Sequence, residues 1–159
     1  MQQLDVIMGS GAAMLMGGAI GFERELRDRP AGFRTHMLVA GAAALLVGLG
    51  VLVLGNHAAL ADGDGGRLRV DPLRLVEAVI AGVAFIGAGS IFARRRGSGV
   101  AGITTAASLL MVSVIGIACG FGYYLLAFLA MLLTLVVLTL LKFADRALAR
   151  RRGDAAPGG

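Results

Sequence analysis

Two charged triplets near residue 30 contain side chains that could bind an ion. Glu23–Arg24–Glu25 precedes Pro30 and Gly32, and Arg34–Thr35–His36 follows them. Proline and glycine break a helix and let the chain fold back, so the two triplets are predicted to lie near each other. One interpretation is a hinge held by salt bridges, because unpaired charge is costly away from water. The other is a site for an ion, an anion or a lipid headgroup, formed by the two arginines and the histidine.

The charges of this segment can pair in two ways. Glu23 and Arg27 stand four residues apart, which is the spacing of an ion pair along one helix. Alternatively, Glu23 or Glu25 reaches Arg34 across the turn. A metal site usually has three or four protein ligands, and His36 with its neighbouring acids falls short of that number. The sequence therefore identifies no metal, and Mg²⁺ is the one cofactor it leaves open.

Hydroxyl and glycine residues form a second pattern that could build a binding site. Thr104 and Ser108 are four residues apart and share one helix face. Within hydrocarbon their hydroxyls must find a partner, on a carbonyl or on a neighbouring helix. Gly87 and Gly89 would let that face approach closely. We therefore expect tight packing of the third and fourth apolar segments around a small polar pocket, or else plain helix packing.

Two acids lie in or near apolar segments and are candidates for an ion site. Asp5 starts the first segment, and Glu77 is about 6 Å deep in the third at 1.5 Å per residue. Arg74, one turn away, could pair with Glu77. No nucleophile–base pair, phosphate-binding loop or metal-ligand cluster matches the known spacings, so we do not expect an enzyme.

Small residues recur at every fourth position of the first apolar segment. Gly9, Ala13, Gly17 and Gly21 share one helix face. Such a ridge lets another helix pack closely. The partner is either another helix of the same chain or a second copy in a homodimer, and the sequence does not distinguish the two.

The composition indicates that these residues are positioned by helices in a membrane. Hydrophobic residues make up 57% of the 159 residues and charged residues 16%, whereas soluble domains carry roughly 25% charge. The surface therefore faces something other than water. Spanning helices need roughly 20 apolar residues, with about 17 as the lower limit. Five stretches qualify, which predicts an all-α membrane protein: residues 4–22, 37–54, 73–93, 100–119 and 121–141.

The basic residues predict the orientation. They favour alternate connections, with twelve on one side and three on the other, which accounts for all 15. Positive charge accumulates on the cytoplasmic side, so the N-terminus is predicted outside and the C-terminus inside. No basic residue precedes Arg24, so the first segment is expected to be a retained helix and not a leader. Without interleaved aromatic residues, the basic clusters do not predict binding of nucleic acid.

Two boundaries remain in this scheme. Gly120–Gly122 separates the last two segments, and either makes a tight turn, which we favour, or belongs to a re-entrant segment. Residues 1–145 are predicted to form one transmembrane domain. Residues 146–159 are predicted to be a basic, disordered cytoplasmic tail.

Three blocks of the chain resemble the MgtC/SapB family. They are Gly21–His36, the run Phe85-Ile-Gly87-Ala-Gly89-Ser-Ile, and the run Gly102-Ile-Thr104-Thr105-Ala-Ala-Ser108. They occur in the family's order across nearly the whole chain. The resemblance implies a multi-pass protein of the bacterial inner membrane, linked to growth in low magnesium, acid tolerance and survival inside macrophages. Carried over by motif, it implies functional roles for Glu23, Arg24, Glu25, Arg34, Thr35, His36, Gly87, Gly89, Thr104, Thr105 and Ser108.

The resemblance also frames the expected function. The chain is similar to the short form of the family, without the soluble C-terminal domain, and it has Ala84 and Leu110 where the family often has Gly and an aromatic residue. We expect a non-enzymatic regulator that acts on a membrane partner, for which the resemblance suggests a complex such as ATP synthase. The alternative is a transporter or channel for magnesium or another cation, formed as an oligomer. Membrane lipids and further copies of the chain are the other expected partners.

Overall fold

The protein is a bundle of five α-helices in the part of the chain that the structure describes. The computed structural model describes residues 2–60, 71–92 and 102–153, and gives the helix but not the side chains for 56–60 and 141–153. No strand occurs within these ranges. The helices are α1 (Gln2–Glu25), α2 (Phe33–Leu60), α3 (Pro72–Phe92), α4 (Ile103–Gly120) and α5 (Tyr124–Gly153).

Length and composition identify the membrane-spanning elements. Four segments are long and apolar enough to cross a bilayer: Gln2–Glu25, Phe33–Gly55, Pro72–Phe92 and Ile103–Gly120. In α5 the apolar part with described side chains is Tyr124–Leu140, about 25 Å long at 1.5 Å per residue. The prediction of a multi-pass, all-α membrane protein is confirmed. The orientation stays a prediction, since most basic residues of the second and third connections lie outside the described ranges.

The turn between α4 and α5 is a Schellman motif. Gly122 has φ +83°, a backbone conformation that a side chain disfavours. The amide of Tyr123 donates to Ala118 O at 2.8 Å, and that of Gly122 donates to Cys119 O at 2.9 Å. These bonds satisfy carbonyls that would otherwise lack a partner at the helix end. The predicted tight turn at Gly120–Gly122 is therefore confirmed.

Two predicted boundaries are corrected. Helix α5 continues to Gly153, so residues 146–153 are helical and not a disordered tail, while residues 154–159 lie outside the described ranges. Helix α2 begins at Phe33 and continues to Leu60. Both helices therefore extend past their apolar segments into polar sequence, because helical hydrogen bonds form without regard to side-chain polarity.

Glycines bring α1, α2 and α4 into close contact. A Cβ at Gly17 would lie 2.6 Å from His36 O, one at Gly21 would lie 2.8 Å from Phe33 Cα, and one at Gly9 would lie 3.0 Å from Cys119 O. Ala13, on the same face, is fully buried. The small-residue ridge of α1 thus packs within the chain and is not a free dimer surface. In hydrocarbon, such van der Waals contact replaces the hydrophobic effect as the main cohesion between helices.

Helix α3 lies at the periphery of this core. Its buried residues are Val79, Val83 and Gly87, which pack toward α2 and α4. A Cβ at Gly87 would lie 3.3 Å from Ala106 Cβ. Phe85, by contrast, is 82% exposed, and no heavy atom lies within 4 Å of a Cβ built at Gly89. Only the first of the two predicted glycines therefore contacts α4.

Candidate functional site

A buried arginine joins the end of α1 to the start of α4. Arg24, in the last turn of α1, is only 3% exposed. Its Nη2 donates to Thr105 Oγ1 at 2.8 Å, in the first turn of α4. A guanidinium stays charged in a protein, so this end of the bundle encloses a positive charge. Its contact is a hydroxyl, and no ion pair to Arg24 is found among the described residues.

A buried histidine joins α2 to the second turn of α4. His36 is fully buried. Its Nδ1 lies 2.9 Å from Gly32 O, and its Nε2 lies 3.1 Å from Ser108 Oγ. Ser108 Oγ also donates to Thr105 O at 2.8 Å. The chain Gly32–His36–Ser108–Thr105–Arg24 is therefore a continuous polar cluster across three helices.

The proton positions in this cluster follow from its donors and acceptors. A carbonyl only accepts, so His36 Nδ1 carries a hydrogen toward Gly32 O. If Ser108 donates to Thr105 O, Nε2 must donate to Ser108 and the imidazole is a cation. If Ser108 turns its hydrogen to Nε2, the imidazole is neutral. The cluster satisfies His36 in both protonation states.

A second set of contacts surrounds the cluster at the turn between α1 and α2. Glu25 Oε2 accepts from the Phe33 amide at 2.8 Å and so satisfies a free N–H at the start of α2. Glu23 Oε1 pairs with Arg27 Nη2 at 2.5 Å. Arg34 is exposed and forms no ion pair with either glutamate. Of the two predicted pairings, the one along the helix is thus observed.

Arg27 extends this set to α5. Its Nη1 donates to Leu138 O at 2.6 Å, a carbonyl that sequence reasoning gave no reason to select. Two buried groups nearby lack a hydrogen-bond partner, namely Arg24 Nε and Glu23 Oε2. Charged groups therefore hold this end of the bundle together, and protein atoms supply only some of their hydrogen-bond partners.

The structure brings together four of the predicted site residues and separates others from them. Arg24, His36, Thr105 and Ser108 form the cluster described above. Thr104 is exposed and borders a cleft between α4 and α5. The expected polar pocket between the third and fourth segments is therefore corrected, because Ser108 faces α2 and not α3. Thr35, in the first turn of α2, is half-buried, and no contact of its side chain with the cluster is found.

The two candidate ion-binding acids lie on separate elements. Asp5 is exposed and lines a cavity of about 300 Å³ beside the α4–α5 turn, together with Gln2, Gly9 and Tyr124. Glu77 is exposed on α3 and forms no ion pair with Arg74. Within the described ranges, no group of three or more His, Cys, Asp or Glu side chains could hold a metal ion.

Comparison with known proteins gives consistent matches. A family model described as the MgtC family matches residues 11–147. The chain is 34% identical over 142 residues to protein SapB of Bacillus subtilis (strain 168), which covers 89% of this chain and 59% of SapB. It is 37% identical over 148 residues to protein MgtC of Brucella abortus (strain 2308), covering 91% and 56%. It is 36% identical over 126 residues to the Escherichia coli (strain K12) protein named "Putative magnesium transporter YhiD", covering 79% and 55%.

The extent of these matches defines what they show. The chain spans a little more than half the length of these relatives. No solved structure matches it. The family match runs from α1 into α5 and includes every residue of the buried polar cluster. The chain that builds this cluster belongs to the MgtC family.

Proposed function

We propose that this chain is a non-enzymatic protein of the bacterial inner membrane that regulates a membrane partner in magnesium homeostasis or in adaptation to low magnesium and acid. The name of the Escherichia coli relative supports the link to magnesium. The observation that carries regulation over transport is the buried Arg24, whose guanidinium contacts Thr105 between α1 and α4.

The electrostatics of this contact disfavour a cation path through one copy of the chain. An ion that moved between α1, α2 and α4 would pass the Arg24 charge, which is only 3% exposed. Two unit charges about 4 Å apart interact by roughly 4 kcal/mol at an effective dielectric constant near 20. For a divalent cation the repulsion is about twice that value. Glu23, the nearest acid, is already paired with Arg27.

Helix α3 offers a surface for the partner. Ala78, Gly82, Phe85 and Gly89 are all exposed on this helix, and no heavy atom lies within 4 Å of a Cβ at either glycine. Small residues let the backbone of a second helix approach closely. The family resemblance suggests a membrane complex such as ATP synthase as the partner. Docking of such a complex against α3 would leave the α1–α2–α4 core unchanged.

The alternative is magnesium transport by an oligomer. Glu77 is exposed on α3, so several copies could bring their carboxylates together. Magnesium takes oxygen ligands and keeps several waters, which a ring of glutamates could provide. This candidate function requires association through α3, whereas regulation requires α3 to contact a different protein.

A flux assay separates the two functions. The full chain is reconstituted in liposomes that contain a magnesium-sensitive dye, and Mg²⁺ uptake is measured. We expect no uptake above that of empty liposomes. Saturable uptake that is lost in Glu77→Gln, and is retained in the nearby Arg74→Gln, would overturn the regulator proposal.

A growth assay tests the regulatory surface. Cells that depend on this protein in low magnesium are supplied with Gly82→Leu or with Gly11→Leu as a matched control. Both glycines are exposed with no atom within 4 Å of an added Cβ. We expect growth to fail with the α3 variant alone. Equal growth with both variants, at equal protein levels, would argue against docking at α3.

A further inference from the structure

The cleft between α4 and α5 is apolar along its length and charged at one end. It has a volume of about 280 Å³ and lies between the residues Thr104, Ala107, Ser108 and Met111 of α4 and Leu133, Thr134, Val137 and Leu138 of α5. Because the helices are antiparallel, Thr104 and Leu138 lie at one end, and Met111 and Leu133 lie at the other. The cleft is about 10 Å long, from the rise of 1.5 Å per residue.

The cleft wall is mainly hydrocarbon, although three of its lining residues carry hydroxyls: Thr104, Ser108 and Thr134. Ser108 Oγ donates to Thr105 O at 2.8 Å, and Thr134 Oγ1 donates to Ala130 O at 2.7 Å. In this arrangement the Ser108 and Thr134 hydroxyls donate within their own helices. Leu133 and Val137, at the outer edge, are 65% and 54% exposed. The cleft thus opens toward the lipid phase.

A guanidinium lies at the end of the cleft that is nearest the charged turn. Arg27 Nη1 donates to Leu138 O, the carbonyl of a cleft residue. Arg27, Arg29 and Glu23 are close enough to Arg24 to act on it electrostatically, and Asp28 is exposed between the two outer arginines. Glu25 instead contacts the start of α2. The cleft residue Leu138 is thus in direct contact with a guanidinium.

The start of α4 adds to the attraction for an anion. Gly102 precedes the helix with φ +100° and provides no side-chain cap. The first N–H groups of a helix have no hydrogen-bond partner within the helix, so they attract negative charge. Thr104, in this first turn, is exposed at the end of the cleft. A cleft that is apolar along its length and ends at a guanidinium and an uncapped helix start matches the two parts of a phospholipid.

We propose that the α4–α5 cleft binds one acyl chain of an anionic phospholipid whose phosphate lies at Arg27 and the first turn of α4. A helix with side chains is about 10 Å wide, so a cleft of about 280 Å³ suits a single chain better than a transmembrane helix. This inference does not rest on the proposed function, since lipid binding and magnesium flux are measured separately.

The test uses the full chain in detergent and native mass spectrometry. Phosphatidylglycerol and phosphatidylcholine with identical acyl chains are added, and the number of retained lipids is counted. We expect retention of one phosphatidylglycerol, at roughly tenfold higher affinity than phosphatidylcholine, the ratio that about 1.4 kcal/mol of charge-assisted hydrogen bonding gives. Equal retention of the two lipids would overturn the proposal.

Three variants locate the lipid. Ala107→Leu fills the cleft, and Ala84→Leu is its matched control, because both alanines are exposed and Ala84 lies on α3. We expect only the first to lose the retained lipid. The double variant Glu23→Gln with Arg27→Gln removes the guanidinium without leaving its acid unpaired, and we expect it to lose the preference for phosphatidylglycerol. Unchanged retention in Ala107→Leu would overturn the assignment to the cleft.

Discussion

The guanidinium of Arg24 and the hydroxyl of Thr105 are joined by a 2.8 Å hydrogen bond across 81 positions of sequence. Both side chains are almost completely buried. This bond joins the end of one candidate spanning helix to the start of another. Its loss leaves a buried charge with an unsatisfied donor, which costs more than the bond contributes when it is present.

Thr105→Val is therefore expected to destabilise the protein by roughly 1–3 kcal/mol, because it keeps the shape of the side chain but removes the acceptor of Arg24. Thermal unfolding in detergent, followed by circular dichroism, measures the change. Thr104→Val is the control, since Thr104 is exposed. A similar unfolding temperature for both variants would mean that the arginine finds another acceptor.

Gly17→Ala tests the close approach of α1 and α2. The added Cβ would lie 2.6 Å from His36 O and 2.7 Å from Ala40 Cβ, so the helices must separate. Overpacking of this kind typically costs about 1–3 kcal/mol. Gly11 lies on a different face of α1, and no heavy atom lies within 4 Å of a Cβ built there. Gly11→Ala should therefore be neutral or stabilising, because alanine has a higher helix propensity than glycine. A chemical unfolding titration of both variants compares them, and equal midpoints would contradict the packing described here.

Ser108→Ala removes the partner of His36 Nε2. The expected cost is about 1–3 kcal/mol, since a buried ring nitrogen is left without a hydrogen bond. Ser113→Ala is a matched control, because Ser113 is also fully buried but its hydroxyl donates only to Leu110 O of its own helix. The His36 ring resonances in an NMR spectrum should shift in the first variant and stay in place in the second. If the His36 resonances shift in Ser113→Ala and not in Ser108→Ala, then His36 does not contact Ser108.

Gly122→Ala tests the turn between α4 and α5. With φ +83°, a side chain at this position costs roughly 1–2 kcal/mol. Gly122→Asn should cost less, because asparagine tolerates the left-handed conformation. The unfolding temperatures of the two variants should rank in that order. If both unfold like the unsubstituted chain, the turn contributes little to stability.

The helices could be predicted from sequence because the bilayer imposes one strong rule. A spanning segment must be apolar for about 20 residues, and this rule located all five. It gives no information where the chain leaves hydrocarbon, so the start of α2 at Phe33 and the helical continuation of α5 to Gly153 were missed. Backbone hydrogen bonding, which the apolar pattern does not report, sets those ends.

The site was predicted in part for a similar reason. The spacing of Glu23 and Arg27 along one helix predicts their ion pair, because local geometry is fixed by the helix. Contacts between helices depend on the rotation of each helix about its axis, which periodicity sets only approximately. Ser108 was therefore assigned to a face toward α3, although it contacts His36 of α2. Leu138 O could not be predicted, since every residue has a carbonyl.

Ser108 has two neighbours of different kinds, His36 on one side and the α4–α5 cleft on the other. A molecule in the cleft that favours one rotamer of this serine must also alter the energy of the histidine. If such a molecule binds, thermodynamic linkage requires the influence to be mutual. One hydroxyl thus connects the lipid-facing exterior of the bundle with a fully buried histidine.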